Sequence, residues 1–514
     1  MWYIVFAVHA FTRSRASWGG AGKEAGCVKS MRVVLKRALL LFLSAACALL
    51  FLFLPGSSSF AEEDAPVLTI GLMRVDTQPF DSAPLIEALN DHLLPRIGMR
   101  VELCYINSDE YDAALNDFLL TDSMPDVFYL PDISYAKTLC EGGHLMPLDA
   151  LLAEHGSGIL ALMEGEMLDA CRLDGGCYLL PSLYSYANAF GFEYRVDIAE
   201  RNGIDMSAVR SIEDLTEVFR TLKANEPELI CVGQLSAYRS WDPLGDSLGA
   251  LMDCGQSDTV VNLYETEEYR QLCLLWHEWN REGYVLDTRS YSAPINYFVR
   301  SENVFGKFVR VSPALVSMDS ADADTAVGAI AFTDSFLCRQ DHQRVLWAMS
   351  VDCDEPEGAM QFLELLYTDP VVSNLLCYGV EGVHYQMLDA ANGVIGYPEG
   401  ASRATSPYSI FRNYALGNEF NTYVWEGWPV DLWRQVQENN ERSARSHAYA
   451  TPLDTSAVAA EVEQCSAIAE RYTELLLAGV GDVDEVLDAF NQELHAAGID
   501  RIIAEKQRQI DAAR

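Results

Sequence analysis

The sequence predicts an α/β protein of two lobes with a helical C-terminal region, and three observations support this prediction. Apolar runs of strand length alternate with helical patterns between Val67 and Leu130, as in a doubly wound parallel sheet. Residues 62–514 are too many for one ordinary hydrophobic core, and this length suits two lobes. From Val458 onward the apolar residues recur at helical spacing.

The first elements follow in a regular order. Strands are predicted at 67–72, 100–106 and 126–130, and helices at 84–97 and 111–120. Asp132 comes at the carboxyl end of the third strand, which is the edge of such a sheet where ligands lie. Asp132 is therefore a candidate acceptor for a ligand hydroxyl, and its alternative role is to cap the next helix.

Later elements are predicted from caps and amphipathic spacing. Ser211 is expected to cap a helix, with Asp214 three residues further on. A helix at 265–282 places Trp276 and Trp279 on one apolar face, which predicts that both are core residues. A strand is expected at 327–332 and an amphipathic helix at 355–367.

The N-terminal segment predicts export. Residues 31–61 have a short basic head, an apolar run and small residues before Ala61, which is the layout of a secretory signal peptide. Residues 1–30 are interpreted as an upstream extension from a mis-assigned start. An uncleaved anchor is one alternative, because 17 apolar residues only just reach the span of a bilayer. Lipidation at Cys47 is another, although the residues after it are apolar where a lipoprotein tether is polar.

Charge and cysteine content narrow the class of protein. Residues 62–514 carry 29 basic and 74 acidic residues, a formal charge of −45. Such a surface repels phosphate backbones and anionic headgroups, so nucleic acid and membrane surfaces are not expected partners.

Eleven cysteines remain, none with the spacing of a zinc site, and Cys171 and Cys177 flank a turn across which they could pair. No cofactor or metal is predicted.

Several strings, in their order and spacing, resemble the family 1 extracellular solute-binding proteins of bacterial ABC importers, in the form with an extra helical C-terminal domain of unknown function. They are Phe192-Glu193-Tyr194-Arg195, Gly203-Ile204-Asp205, Leu365-Leu366-Tyr367-Thr368-Asp369-Pro370, Tyr378-Gly379-Val380-Glu381-Gly382, Leu416-Gly417-Asn418-Glu419-Phe420 and Asp431-Leu432-Trp433. The resemblance covers nearly all of residues 66–514. It implies a type II periplasmic-binding-protein-like fold with hinge-crossing strands and one solute held between two lobes.

By this resemblance, residues 65–185 and 327–378 form the first lobe and 186–326 the second, which the helical region 379–514 completes. The implied function is to capture a solute, an oligosaccharide, outside the cell and deliver it to membrane permease subunits. The protein would be a monomer and not an enzyme. A secreted hydrolase or transferase on the same scaffold and a receptor module that feeds a membrane sensor remain alternatives, because a fold does not fix a function.

Aromatic side chains on loops are the candidate sugar contacts, since ring faces stack on sugar C–H surfaces. Tyr184 and Tyr186 lie two residues apart on the predicted crossing strand and therefore face one side. The remaining candidates lie in two loops rich in Gly, Pro or Ser: Tyr238, Trp241, Trp425 and Trp428. Packing inside the protein is the alternative for each of these rings. No GxSxG, HExxH, Walker or GxGxxG motif supports an enzyme.

Overall fold

The computed structural model describes residues 65–514 except 75–81, 122, 164, 234–238, 287–302, 324, 403–404, 406–407 and 409–412. The predicted upstream extension at 1–30, the predicted signal peptide at 31–61 with Cys47, and the candidate Tyr238 lie outside the described residues. Residues 66–514 form one compact unit.

Strands and helices alternate through most of this unit. The strands are β1 (Val67–Arg74), β2 (Arg100–Asn107), β3 (Val127–Asp132), β4 (Leu179–Pro181), β5 (Ala189–Arg195), β6 (Ile230–Val232), β7 (Ala250–Leu251), β8 (Val260–Val261), β9 (Val304–Val311), β10 (Val327–Ala331), β11 (Phe336–Leu337), β12 (Arg344–Met349), β13 (Gln386–Asp389), β14 (Val394–Gly396), β15 (Val424–Trp425) and β16 (Ala444–Arg445). The main helices are α1 (Ala83–Ile97), α2 (Tyr111–Thr121), α3 (Ile133–Glu141), α4 (Asp149–His155), α5 (Ser157–Leu162), α6 (Gly165–Ala170), α7 (Val196–Arg201), α8 (Leu215–Asn225), α9 (Glu267–Arg281), α10 (Leu315–Ala323), α11 (Pro356–Thr368), α12 (Pro370–Tyr378), α13 (Leu432–Arg442), α14 (Ala459–Leu477), α15 (Val483–Ala497) and α16 (Ile499–Ala513).

The first sheet has the strand order β2-β1-β3-β12-β4. β1 runs parallel to β2 and β3, as the alternation of strands and helices predicts. β12 returns from a distant part of the chain and runs antiparallel to both β3 and β4. The sheet is therefore mixed, and the carboxyl ends of β1 and β3 lie at the same edge.

The second sheet has the order β10-β5-β9-β6. β10 is antiparallel to β5, β5 is antiparallel to β9, and β6 is parallel to β9. β10 confirms the strand expected at 327–332, but it lies in the second sheet, whereas residues 327 onward were expected in the first lobe. The pairing depends on glycine, because a Cβ on Gly191 of β5 would lie 1.9 Å from the carbonyl oxygen of Ile330.

Two large hydrophobic cores match the two sheets. The first core draws its buried residues from 68–183 and 345–416, and the second from 192–308 and 458–502. Residues 379–416 were expected to complete the second lobe, but their buried rings Tyr385 and Tyr408 pack into the first core. Among the described residues of the C-terminal region, it is those of helices α14 to α16, with Val458 just before them, that pack in the second core, for example Phe490 and Ile502.

Two local expectations about the second lobe have different outcomes. Helix α8 begins at Leu215 rather than after Ser211, because the Asp214 carboxylate accepts hydrogen bonds from the backbone N–H groups of Arg210 (2.8 Å) and Ser211 (3.0 Å). Those residues are thereby held in a turn before the helix.

Trp276 and Trp279 are buried on α9, so the prediction that both are core residues is confirmed.

The cysteines of the described residues are all free, including Cys171 and Cys177. The thiol of Cys171 donates to the carbonyl oxygen of His342 at 3.1 Å, and that of Cys177 donates to the carbonyl oxygen of Leu179 at 3.6 Å. Burial raises the pKa of both thiols. They act as small buried residues.

Candidate functional site

Three stretches of chain connect the two sheets, and we call them together the crossing region. Residues 182–188 lead from β4 to β5, residues 332–343 lead from β10 to β12, and residues 432–445 contain α13 and β16. The first two stretches are hydrogen-bonded to each other between Asn188 and Phe336, and β11 pairs with β16. A movement of one lobe relative to the other must therefore bend these three segments.

Amide side chains of α13 hold the first crossing stretch in place. Asn440 is buried, accepts a hydrogen bond from the Ala187 N–H at 3.1 Å and donates to the carbonyl oxygen of Tyr184 at 2.8 Å. The Nδ2 of Asn439 donates to the carbonyl oxygen of Ala187 at 2.9 Å. These bonds replace the ladder bonds that an irregular backbone lacks, and they fix the direction of the neighbouring tyrosines.

Asp341 is the central charge of the crossing region. Its buried carboxylate accepts hydrogen bonds from the Cys338 N–H at 2.8 Å, from Nη2 of Arg239 at 3.2 Å and from Nη2 of Arg310. Burial alone would raise the pKa of this carboxyl, but the charges of Arg310 and Arg239 outweigh it and hold the pKa below its usual value. Asp341 is thus an anion that joins a crossing stretch to two cations from the second lobe.

The two guanidinium groups lie over one aromatic ring. The Cζ of Arg239 is 4.9 Å and that of Arg310 is 5.8 Å from the centre of the Phe190 ring. Arg310 faces Phe190 across the β5–β9 ladder, which explains the contact. Both cations thus share one carboxylate and one aromatic ring.

Tyr184 and Tyr186 lie next to this charge cluster, and both are half-buried. The Tyr184 hydroxyl donates to the carbonyl oxygen of Asp341 at 3.2 Å, and burial raises the pKa of Tyr184 to about 12. The rings of Tyr184 and Tyr186 are 6.3 Å apart, and Tyr414 lies 6.2 Å from Tyr184. Tyr186 also contacts the imidazole of His342, with 4.6 Å between ring centres.

His342 is a buried neutral group under the tyrosines. Its Nε2 and the hydroxyl of Tyr449 are 2.7 Å apart. Burial lowers the pKa of His342 to about 4, so the ring is uncharged at neutral pH. The tyrosines of the crossing region thus lie beside the Asp341 carboxylate with its two guanidinium partners and beside the uncharged His342 ring, a set that can bind polar neutral groups.

Trp425 and Trp428 are both half-buried, on the segment that leads from β15 to α13. Trp425 stacks on Tyr397 with 4.5 Å between ring centres and an interplanar angle of 25°. It also meets Tyr378 edge to face at 5.6 Å. Trp428 packs near Trp433 at 6.5 Å, in a small cluster that includes Ala314 after β9. These contacts leave part of each indole free for a ligand.

Asp132 ends β3 and caps α3. Its carboxylate accepts a hydrogen bond from the Ser134 N–H at 2.8 Å. The residue is half-buried, so capping does not exclude contact with a ligand. The same oxygen also accepts a bond from the Ser134 hydroxyl, which leaves the second oxygen as the available acceptor.

Trp241 is not the exposed loop residue that the sequence suggests. Only 6% of it is accessible, and it belongs to the second core, where it meets Tyr269 edge to face at 6.4 Å. The expectation of exposure is wrong because the loop around Trp241 folds back onto α9. Little of this ring is available to a solute.

Sequence reasoning did not single out Asp341, Arg310, Tyr414 or Tyr397. No motif marks these residues, and each reaches its place through the packing of distant segments. Arg310 carries one usable signal, since a charged residue near the end of an apolar strand is unusual.

Within the part of the chain that the structure describes, no group of three or more His, Cys, Asp or Glu side chains could hold a metal ion. The helices of the described ranges include none that is both long and apolar enough to cross a bilayer.

Two α/β lobes joined by three crossing segments, with a helical C-terminal region on the second lobe, form the architecture that the sequence resemblance implies. A domain-family model matches residues 452–514, and its description is "Domain of unknown function (DUF3502)". This match agrees with the extra C-terminal domain that the sequence resemblance implies.

The chain is also similar to a full-length relative from Streptococcus pneumoniae serotype 4, which is described as a carbohydrate ABC transporter substrate-binding protein. The two are 21% identical over 475 residues, which is 89% of this chain and 93% of the relative. The resemblance to the family 1 solute-binding proteins is therefore confirmed. The relative is described as a binding protein, in agreement with the expectation that the chain is not an enzyme.

Solved structures show the same fold. The N-glycan transport solute binding protein NgtS from Streptococcus pneumoniae matches with a TM-score of 0.76 and 19% identity over 87% of this chain and 98% of that one. The same protein in complex with Man5GlcNAc matches with a TM-score of 0.71, 19% identity and the same coverage. The alginate-binding protein AlgQ2 matches with a TM-score of 0.60 and 16% identity over 87% and 98% of the two chains. The predicted two-lobed fold is confirmed.

Proposed function

We propose that the protein is the extracellular solute-binding component of an ABC importer, and that its solute is an oligosaccharide of the N-glycan type. The observation that carries this proposal is the full-length match of fold to NgtS, a structure solved with Man1GlcNAc and with Man5GlcNAc. The half-buried aromatic rings at the crossing region supply the surfaces that such a solute needs.

The proposed site lies where the lobes meet. Tyr184, Tyr186 and Trp425 present ring faces to the apolar sides of sugar rings, and Trp428 extends this surface. Asp132 accepts hydrogen bonds from sugar hydroxyls at the edge of the first sheet. Of the two candidate solute contacts Tyr238 and Trp241, we keep Tyr238 in the proposal and leave Trp241 out, because Trp241 is buried.

Capture proceeds by closure of the two lobes. A solute that contacts both lobes binds the closed form more tightly than the open form and shifts the population towards it. The crossing region is the element that bends, and Asp341, Tyr184 and Asn440 connect its strands. The closed form then delivers the solute to the permease subunits.

The lobes are best divided by their cores. We assign residues 66–183 and 344–430 to the first lobe and residues 189–337 and 446–514 to the second, since these ranges follow the two hydrophobic cores. Residues 31–61 act as the signal peptide that places the protein outside the cell. Tethering through Cys47 would be the alternative to release.

The test is titration calorimetry of the purified mature protein with Man5GlcNAc, Man1GlcNAc, an alginate oligosaccharide and a tripeptide. We expect micromolar or tighter binding of a mannose-containing glycan, and recovery of that glycan unaltered after incubation. Binding of the tripeptide alone would contradict the proposal. Cleavage of the glycan would favour a hydrolase on the same scaffold.

A further inference from the structure

A buried lysine of the C-terminal domain contacts a loop of the second lobe. Lys506 on α16 has no accessible surface, and its Nζ donates to the carboxylate of Asp246 and to the carbonyl oxygen of Leu244 at 3.4 Å. Burial lowers the pKa of Lys506 even though Asp246 opposes this. A charge in such a place costs free energy unless its partners are held in position, so this contact requires a defined loop.

The contacted loop, residues 242–257, has an unusual backbone. It contains four of the six non-glycine residues with positive φ that the described residues contain: Leu244, Ser247, Asp253 and Cys254. Side chains rarely adopt this conformation, and it persists where the surroundings determine it from several sides. The loop therefore depends on contacts outside itself.

Helix α16 supplies several of these contacts. The side chain of Gln507 accepts a hydrogen bond from the Val260 N–H at 2.7 Å and donates to the carbonyl oxygen of Asp258 at 3.1 Å. Ile510 packs in a small cluster with Leu244 and Leu251. The same helix thus contacts both the beginning of the loop and the strand that follows it.

The other side of the loop contacts the crossing region. The Gly245 N–H donates to Oε1 of Gln340 at 2.9 Å, one residue before Asp341. Arg239, three residues before the loop, donates to the Asp341 carboxylate at 3.2 Å. The Cys254 N–H donates to the carbonyl oxygen of Ser240 at 2.7 Å, which closes the loop on the segment that carries Arg239.

We infer that the C-terminal domain of unknown function positions the solute site: Lys506 holds loop 242–257 in its strained shape, Gln507 holds the segment directly after the loop, and the loop sets Arg239 and Gly245 against Gln340 and Asp341 of the crossing stretch. Lys506 is a positioning residue, because it acts on the site through the loop. This inference rests on the proposed function only for its binding readout. The contact between domain and loop stands on the structure itself.

The test compares Lys506→Met with Phe490→Leu, a matched control in the same domain. Phe490 is buried against Tyr264 and Tyr472, neither of which belongs to loop 242–257. Both variants are measured well below their melting temperatures, by hydrogen exchange of residues 239–257 and 338–342 and by calorimetry with Man5GlcNAc. We expect Lys506→Met to speed exchange in both segments and to weaken binding about fivefold or more. Phe490→Leu should lower Tm but should change neither the exchange of these segments nor the affinity for Man5GlcNAc.

The possible outcomes separate the two proposals. Unchanged exchange and affinity in Lys506→Met, or equal changes in both variants, would overturn the inference. A wild-type protein that binds no glycan would refute the proposed function, while the exchange comparison would still test the loop. If Lys506→Met does not fold, Gln507→Ala is tested instead. This substitution removes the hydrogen bonds of α16 to Val260 and Asp258, directly after the loop, from a partly exposed position. It should also speed exchange and weaken binding, but by smaller amounts.

Discussion

Two loop tryptophans look alike in the sequence and lie in different kinds of environment. Trp241 precedes an Asp-Pro pair, and Trp425 precedes Glu-Gly-Trp-Pro, so both sit among turn residues. Trp241 is buried in the second core against Tyr269. Trp425 is half-buried at the edge of the first core, with one face stacked on Tyr397.

The difference comes from what packs onto each loop. The segment around Trp241 is covered by α9 and fixed by the neighbouring strained loop, whereas β15 carries Trp425 at the end of a small sheet. Core packing and ligand binding both use large rings, so turn residues next to a tryptophan do not decide between them. The predictions below test whether residues in the core of the second lobe determine stability while residues at the crossing region determine solute affinity.

The largest effect is expected at Trp241. Trp241→Ala removes a buried indole from the second core and should lower the free energy of unfolding by about 3–5 kcal/mol. Chemical denaturation of wild type and variant measures this loss. Solute affinity at low temperature should stay within about twofold, since the ring is buried in the second core. A variant with wild-type stability and lost binding would reverse the assignment.

Trp425→Ala should give the opposite pattern. Loss of one stacking face should weaken binding of Man5GlcNAc by about 10–100-fold, or about 1.4–2.7 kcal/mol. The loss of stability should be smaller than in Trp241→Ala because the ring is only half-buried. Calorimetry and thermal unfolding of the same preparations check both quantities.

Trp428→Ala is the matched control for Trp425→Ala. Trp428 lies three residues further along and packs in the cluster with Trp433. A weaker effect on binding than that of Trp425→Ala would locate the solute on the Tyr397 side. If both substitutions left the affinity unchanged, the solute would have to contact other residues.

The sequence predicts the first three strands of the first sheet well, but it does not predict which distant strands pair with which sheet. Strands at 67–72, 100–106 and 126–130 are recovered because each is a short segment rich in apolar residues that favour strands. β12 contributes to the same sheet from 344–349, and only long-range pairing with β3 and β4 reveals this. The placement of β10 in the second sheet depends likewise on its register with β5.

The candidate site is harder to predict for the same reason. Tyr184 and Tyr186 follow from the crossing strand, which the resemblance to the family locates. Asp341 gains its importance from Arg239 and Arg310, which lie 102 and 31 residues away in the chain. A local pattern contains no information about such partners, and charge clusters of this kind emerge only when the lobes fold.

Glu419 is hydrogen-bonded to the first crossing stretch, and its carboxyl group makes stability depend on pH. The residue is buried, its N–H donates to the carbonyl oxygen of Leu183 at 2.8 Å, and burial raises its pKa to about 8 from 4.5. Between these values the folded state holds a proton that the unfolded state has lost, so this group makes stability fall as pH rises. Glu419→Gln removes that loss and should therefore stabilise the protein at pH 8, with little change at pH 4.5.

Glu426→Gln serves as the comparison for this pH effect. Glu426 is an exposed carboxyl seven residues further along the same segment, and its replacement should leave the pH dependence of unfolding unchanged. Denaturation series from pH 4.5 to pH 8.5 measure both variants. An equal stabilisation by Glu419→Gln at every pH would contradict the assignment of its effect to a buried proton.

The smallest effect is expected at Tyr184. Its hydroxyl group makes a hydrogen bond within the protein, whereas its ring is the proposed sugar contact, so substitutions can separate the two roles. Tyr184→Phe keeps the ring that we propose as a solute contact and removes the hydroxyl that donates to the carbonyl oxygen of Asp341. Loss of this single hydrogen bond should reduce stability by about 0.5–1.5 kcal/mol, while binding by ring stacking should change by less than about threefold. Tyr184→Ala should in contrast weaken binding of Man5GlcNAc at least tenfold, about 1.4 kcal/mol. If the Phe variant lost as much affinity as the Ala variant, the hydroxyl would contact the solute directly, and the crossing region would recognise sugars by polar contacts instead of ring faces.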